Sequence, residues 1–240
     1  MAFSLKALIF DVDGTLAETE DVHRRAFNRA FSEFGHDWVW DVPRYKDLLK
    51  VTGGKNRIRL YLEESHPDVL ARDGLDDYIA EIHARKTALY AEIMAAGEVT
   101  LKPGVEALIR EARDAGMTLA IATTTTPANI EALFHATLGA NARDWFVAIG
   151  NGETSPALKP DPAVYHWVLE RIGLGAADCL AIEDSGNGIR AAAAAGVPCL
   201  VVKSAFTQTG DTAGTVGVLE TLEGTTLAGL AHLHAQFLEK

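Results

Sequence analysis

The sequence predicts an α/β protein: a parallel sheet covered by helices on both faces, with an all-helical cap domain inserted into it. Three observations carry that expectation. Short, nearly continuous apolar runs recur along the 240-residue chain; segments with helical start and stop signals lie between them; and roughly a hundred residues, too many for a single crossover, separate the first run from the second.

The first run is Ala7-Leu8-Ile9-Phe10, and the others span Leu119 to Ala122, Trp145 to Ile149, Cys179 to Ile182 and Cys199 to Val202. None alternates apolar with polar residues, which marks strands buried on both faces and hence a parallel sheet. After the first run, Val22, Ala26, Phe27, Ala30, Phe31 and Phe34 recur at helical steps, as do Ile79, Ile82, Leu89 and Ile93. Residues 19–92 are therefore expected to form the cap, and residues 1–18 with 93–240 the catalytic core. Pro103 to Ala115 reads as a helix stopped by Gly116. Asp161 to Ile172 reads as another, with Asp161 at the N-cap, Pro162 at the first helical position, Gly173 as the stop, and Val164, Trp167, Val168 and Ile172 as its buried stripe. A third runs from near Gly188 to Gly196. The βα alternation makes the core Rossmann-like.

Charge excludes one class of partner. With 22 Lys and Arg against 33 Asp and Glu the net charge is −11, and the longest basic runs are the pairs Arg24-Arg25 and Arg85-Lys86. Nucleic-acid backbone binding needs a basic stripe that is missing here. The 48% apolar content is enough for a sizeable core. No apolar run approaches the ~20 residues that cross a bilayer, and the start, Met1 to Lys6, lacks the basic and long apolar regions of a signal peptide. A cytoplasmic monomer acting on a small molecule, with no membrane partner, is the expectation. Cys179 and Cys199 sit in apolar runs without C-x-x-C spacing and are expected to be buried structural thiols.

Ligands of an open parallel sheet bind outside the carboxyl ends of its strands. The residues there are Asp11-Val12-Asp13-Gly14-Thr15-Leu16, Thr123-Thr124-Thr125-Thr126, Lys159-Pro160-Asp161-Pro162 and Glu183-Asp184-Ser185-Gly186-Asn187-Gly188. Crowded carboxylates need an offsetting charge, and an oxygen-rich set without histidine or cysteine favours a hard cation, Mg²⁺, over Zn²⁺. Asp11 can attack phosphorus while Asp13 handles protons. Lys159, the Thr123 hydroxyl and free backbone N–H groups can neutralise phosphate oxygens. Each residue also fits a structural role when taken singly: Asp13-Gly14 as a turn, Thr123 as a helix cap, Glu183 to Gly186 as a surface loop. Their joint order after buried strands is what favours chemistry.

That order of motifs resembles the haloacid-dehalogenase-like phosphatase superfamily over essentially the whole chain. The helical insert between the first and second motifs is similar to the subgroup containing β-phosphoglucomutase and the CbbY-type phosphatases. The resemblance implies that Asp11 is the nucleophile and Asp13 the acid/base. It also implies that Glu183 and Asp184 bind Mg²⁺ with Asp11 and the Asp13 carbonyl, and that Thr123, Lys159 and the neighbouring Thr124 serve the phosphate. A dehalogenase lacks the second aspartate, so Asp13 argues against that reaction.

Val51-Thr52-Gly53-Gly54-Lys55-Asn56-Arg57 is similar to the cap segment of CbbY-type proteins, which the resemblance links to xylulose 1,5-bisphosphate, a sugar bisphosphate that inhibits carbon fixation. A second phosphate needs a site remote from the metal, and Gly53, Gly54 and Lys55 offer backbone N–H groups beside a point charge. An ordinary Gly-Gly turn with a solvated lysine is the other reading. It is no P-loop, since residue 56 is Asn. Lys86, Arg57 and Arg59 are further candidates for the distal phosphate, each also readable as a solvated helix charge. Glu18 and His23 are similar in spacing to the cap-hinge acid and substrate-facing histidine of β-phosphoglucomutase; His36, His83 and His135 receive no role. The expected activity is a Mg²⁺-dependent sugar-phosphate phosphatase working through an aspartyl-phosphate. A phosphosugar mutase shares the first half-reaction, and a receiver-like regulator phosphorylated on Asp11 is a non-enzymatic alternative that the large cap disfavours.

Overall fold

A six-stranded sheet organises the structure, a computed structural model that describes residues 5–139 and 141–239. Its strands are β1 (Ala7–Phe10), β2 (Thr118–Ala122), β3 (Ala148–Gly150), β4 (Cys179–Glu183), β5 (Cys199–Val202) and β6 (Gly217–Leu219), in the order β3-β2-β1-β4-β5-β6. Every pairing is parallel. Successive side chains of β1 serve opposite faces: Ala7 and Ile9 join a core with Val164, Val168 and Ile189, while Leu8 and Phe10 join one with Leu108, Ile121 and Leu133. All four are fully buried, which is why the run could not alternate. Cys179 and Cys199 are buried free thiols.

Five helices follow β1: α1 (Glu20–Glu33), α2 (Val42–Leu48), α3 (Gly54–Ser65), α4 (Pro67–Leu70) and α5 (Leu75–Ala95). In α1 the buried residues Val22, Ala26, Phe27, Ala30 and Phe31 form one stripe, and Glu20 and Asp21 in the first turn complement the helix dipole. That stripe packs along α5 and against Trp40, whose ring centroid lies 4.6 Å from Phe27 and 4.9 Å from Phe31. Beyond the insert come α6 (Val105–Asp114), α7 (Pro127–Thr137), α8 (Ala163–Ile172), α9 (Gly186–Ala194) and α10 (Leu227–Leu238).

Several details depart from expectation. Trp145 ends a 3-10 turn, Ala142–Trp145, and β3 begins only at Ala148. The β6 edge strand escapes a search for apolar runs because it is three residues long and partly exposed. In α8 the chain turns helical one residue late: Pro162 is the N-cap, and Asp161 caps from outside by accepting the Ala163 N–H at 2.9 Å. Tyr165, passed over in the sequence, is fully buried on that helix, whereas Trp167 and Ile172 are only partly buried. No helix of the described residues is long and apolar enough to cross a membrane. Residues 1–4, on which part of the reading of the chain start rests, lie outside the described residues.

Candidate active site

Strand order reverses between β1 and β4, and the crevice opens at that switch point. Phe10 pairs with Ile182, so the next residues, Asp11 and Glu183, leave the sheet side by side. The Asp11 N–H extends the ladder by donating to the Ile182 carbonyl at 3.0 Å. Gly14 then turns the chain with φ of +83°; a Cβ there would also meet Asp184 Oδ2 at 2.0 Å, so only glycine fits. From β2, Thr123 arrives almost fully buried, its N–H donating to the Gly150 carbonyl at 3.0 Å.

Lys159 ties these strand ends together. Its ammonium donates to Asp11 Oδ1 at 2.8 Å, the Ala122 carbonyl at 2.8 Å and Glu183 Oε1 at 2.6 Å, using all three of its hydrogens. Burial works against the Lys159 charge, but Asp11 and Glu183 raise its pKa above the ordinary lysine value. Burial pushes the Asp11 carboxyl up, with Lys159 pulling against it, and lifts Glu183 to about 7. Asp184 is raised well above its ordinary value by burial and by the Asp11 charge, although Thr207 donates to its Oδ2.

Asp11, Glu183 and Asp184 are all buried, and each offers one oxygen within 4.8 Å of the others. Three carboxylates against one ammonium leave excess negative charge in a dry site. Glu183 Oε2 is buried and has no hydrogen-bond partner, while Oε1 takes both Lys159 and the Tyr165 hydroxyl, the latter at 2.5 Å. An oxygen-only donor set with an orphaned carboxylate oxygen fits a hard divalent cation.

Asp13 faces the insert. Its Oδ1 accepts the Thr19 hydroxyl at 2.5 Å and lies 3.0 Å from His23 Nε2, and His23 Nδ1 lies 2.7 Å from Lys86 Nζ. With Nδ1 accepting from the ammonium, His23 is neutral and donates from Nε2 to Asp13. Burial and the neighbouring Lys86 charge lower the His23 pKa accordingly. Burial opposes the Asp13 charge, yet His23, Thr19 and Lys86 together hold its carboxyl well below the usual range, so it is ionised.

Lys86, a candidate for the distal phosphate, lines the cavity; the alternative of a solvated helix charge does not hold, since Lys86 is buried over the Phe27 ring at 4.8 Å, and burial lowers its pKa to about 7. Arg57 is likewise not a solvated charge. Its guanidinium is largely covered, donating to the Val51 carbonyl at 3.0 Å and the Tyr45 hydroxyl at 3.3 Å, whereas Arg59 pairs with Asp76 away from the cavity.

Between sheet and insert lies a cavity of about 590 Å³. Asp11, Asp13, Thr123, Thr124, Lys159 and Asp184 line one side, and His23, Gly53, Gly54, Lys55 and Lys86 the other. Gly53, with φ of +94°, meets the core side, where a Cβ would lie 2.7 Å from the Leu158 side chain; within the insert, a Cβ on Gly54 would lie 2.5 Å from His83 Nε2. Glu18 does not line the cavity, and Glu183 lies beneath its wall. Among the lining or supporting residues missed in the sequence are His83, Glu20, Tyr165 and Thr207, the last bonded to Asp184. His83, pushed down to about 3 by burial and nearby cations, and Glu20, bonded by the Tyr45 hydroxyl at 2.8 Å, both line the cavity; Tyr165 supports Glu183 from behind. Glu20, His23, Phe27 and Phe31 share the inward side of α1, which was the available signal for Glu20.

Known proteins match this arrangement. Residues 5–196 match the family model for haloacid dehalogenase-like hydrolases. Protein CbbY of Cupriavidus necator is 54% identical over 84% of this chain and 80% of the relative. Protein CbbY of Cereibacter sphaeroides is 43% identical over 95% of this chain and 96% of the relative. A crystal structure of a variant CbbY from Rhodobacter sphaeroides in complex with xylulose-(1,5)bisphosphate superposes with a TM-score of 0.86 at 42% identity, covering 94% of this chain and 99% of that one. β-Phosphoglucomutase from Clostridium difficile, 18% identical with a TM-score of 0.80, shares the fold. The chain belongs to the haloacid dehalogenase-like hydrolase family, in its CbbY-type branch.

Proposed function

We propose that this phosphatase hydrolyses a sugar bisphosphate, such as xylulose 1,5-bisphosphate, through an aspartyl-phosphate on Asp11, with residues 19–92 as the cap over the substrate. The observation that carries the reading is a single cavity lined both by Asp11, Thr123 and Lys159 from the strand ends and by Gly53, Gly54 and Lys55 from the insert. Asp11, Glu183, Asp184 and the Asp13 carbonyl would hold Mg²⁺, which when bound supplies positive charge against both the carboxylates and the phosphate. Asp13, ionised in the free site, takes up a proton from solvent as the anionic substrate enters; Asp11 then attacks phosphorus, the bond to the leaving oxygen breaks and the alkoxide takes that proton, and Asp13, again ionised, takes a proton from the water that releases phosphate. The hydrogen bonds from Thr19 and His23 favour the ionised form that the second step requires. Lys159 and the Thr123 hydroxyl balance charge on the transferring phosphoryl group.

Metal dependence gives a direct test. Turnover should collapse in excess chelator and return with added Mg²⁺; undiminished turnover in chelator would remove the metal from this account. The bisphosphate claim is tested at Lys55, which is exposed at the start of α3. Lys55→Ala should cost ~1.5–3 kcal/mol of transition-state binding for a bisphosphate, roughly ten- to a hundredfold in kcat/KM. A small aryl phosphate has no second phosphate, so its turnover should change little. Equal losses on both substrates would return Lys55 to a structural role. Assaying released phosphate against isomerised sugar phosphate separates hydrolysis from mutase chemistry.

A further inference from the structure

Lys102 is a buried lysine that the phosphoryl chemistry above does not use. It lies where the chain returns from the helical insert. Its backbone N–H donates to the Leu16 carbonyl at 2.8 Å and its neighbour Leu101 bridges Ala17, so the outgoing and returning chains run side by side here. Gly104, two residues on, is packed against the Leu222 backbone, which a Cβ would meet at 2.1 Å, so this part of the returning chain is fixed to the core.

The Lys102 ammonium reaches three segments. It donates to the Gly14 carbonyl at 2.5 Å and the Lys203 carbonyl at 2.7 Å, and lies 3.1 Å from Glu18 Oε1. Three donors meet three acceptors. Glu18 in turn accepts the Ser204 hydroxyl at 2.9 Å and the Ala205 N–H at 3.4 Å. The same loop continues to Thr207, whose hydroxyl donates to the Asp184 carbonyl at 3.2 Å and to its carboxylate. One side chain therefore joins the turn bearing Asp11 and Asp13, the chain entering the insert, and the loop that holds Asp184.

An apolar side chain could fill this space without the desolvation and rotamer entropy of a lysine. What the ammonium adds is orientation. The Gly14 peptide adjoins the Asp13 carbonyl and is packed against the Asp184 carboxylate, so a small rotation there displaces groups that must sit within a fraction of an ångström for phosphoryl transfer. We propose that Lys102, with Glu18, is a positioning residue for the reaction: the pair clamps the Gly14 turn to the hinge and to the Asp184 loop, and Glu18 works through Lys102 and Ser204 rather than by touching substrate. The inference rests on Asp11 and Asp13 being the reacting pair.

The test is steady-state turnover of a small aryl phosphate by the Mg²⁺-loaded enzyme, with melting temperature measured alongside. Lys102→Met should lower kcat about tenfold or more with KM within about twofold of wild type, because the clamp acts on the transition state rather than on ground-state binding. Glu18→Gln leaves Lys102 its two carbonyls, and should lower kcat about two- to fivefold. The double variant should be no worse than Lys102→Met alone, since both changes break one unit. Wild-type kcat in Lys102→Met, or a loss confined to KM, would overturn the proposal. If Lys102→Met does not fold, Glu18→Gln decides: reduced kcat at unchanged KM and melting temperature supports the clamp, and unchanged kcat overturns it. Failure of the underlying reading is distinguishable, because wild-type enzyme would then carry no phosphate on Asp11, and an aryl phosphate leaves the bisphosphate claim untouched.

Discussion

Asp11→Asn should reduce turnover by about 10⁴-fold or more on every phosphate ester, a loss above ~5 kcal/mol of transition-state stabilisation. An amide is not a competent nucleophile toward phosphorus, and the neighbouring carboxylates are engaged elsewhere: Glu183 Oε1 is held by Lys159 and Tyr165, Asp184 Oδ2 by Thr207, and Asp13 is turned toward Thr19 and His23. The fold should survive, because an Asn carbonyl can still accept from Lys159. Burial makes the Asp11 charge unfavourable, so removing one of three crowded carboxylates should leave the melting temperature in metal-free buffer at or above that of wild type. A variant with appreciable activity would reassign the nucleophile, and one that melts much lower would make the loss uninformative about chemistry.

Asp13→Asn should cost ~10²–10⁴-fold in turnover, the usual scale for proton transfer by a positioned side chain. The backbone carbonyl is unchanged, and an Asn oxygen can still accept the Thr19 hydroxyl. The diagnostic lies in the order of steps. An aryl phosphate with a good leaving group needs no proton to depart, so Asp11 should still be phosphorylated, whereas water has lost its base. Stopped-flow assays should therefore show a burst of about one equivalent of phenol followed by slow turnover. A uniform slowing with no burst would place Asp13 in the first half-reaction alone or in a structural role.

The core of this site was legible because parallel strands buried on both faces advertise themselves as continuous apolar runs, and their carboxyl ends must share a crevice. Asp11, Thr123 and Glu183 could be brought together on that rule alone, and Lys159 on the motif order. Edges and turns were not legible: β6 buries too little to leave an apolar run, and Trp145 sits in a turn although it belongs to an apolar stretch. The burial of Lys86 was left open for a different reason. Lys86 falls four residues after Ile82 and three before Leu89, on the buried stripe of α5, and helical spacing would have placed it inward had its charge not suggested solvent. Arg57, Tyr165, Lys102 and Thr207 act through partners 6 to 101 residues distant in sequence, Lys203 for Lys102 being the farthest, and no local pattern marks such pairs.

The central claim is a phosphoryl group on Asp11, and mapping it is the most direct test. Asp13→Asn enzyme loaded with Mg²⁺ is mixed with the aryl phosphate, quenched in acid within one turnover and reduced with borohydride, which converts an acyl phosphate to an alcohol. Peptide mass spectrometry should then find the reduced side chain at position 11, in an amount that rises and falls with the burst. Reduction at any other carboxylate, or none at any time while phosphate is released, would contradict the account.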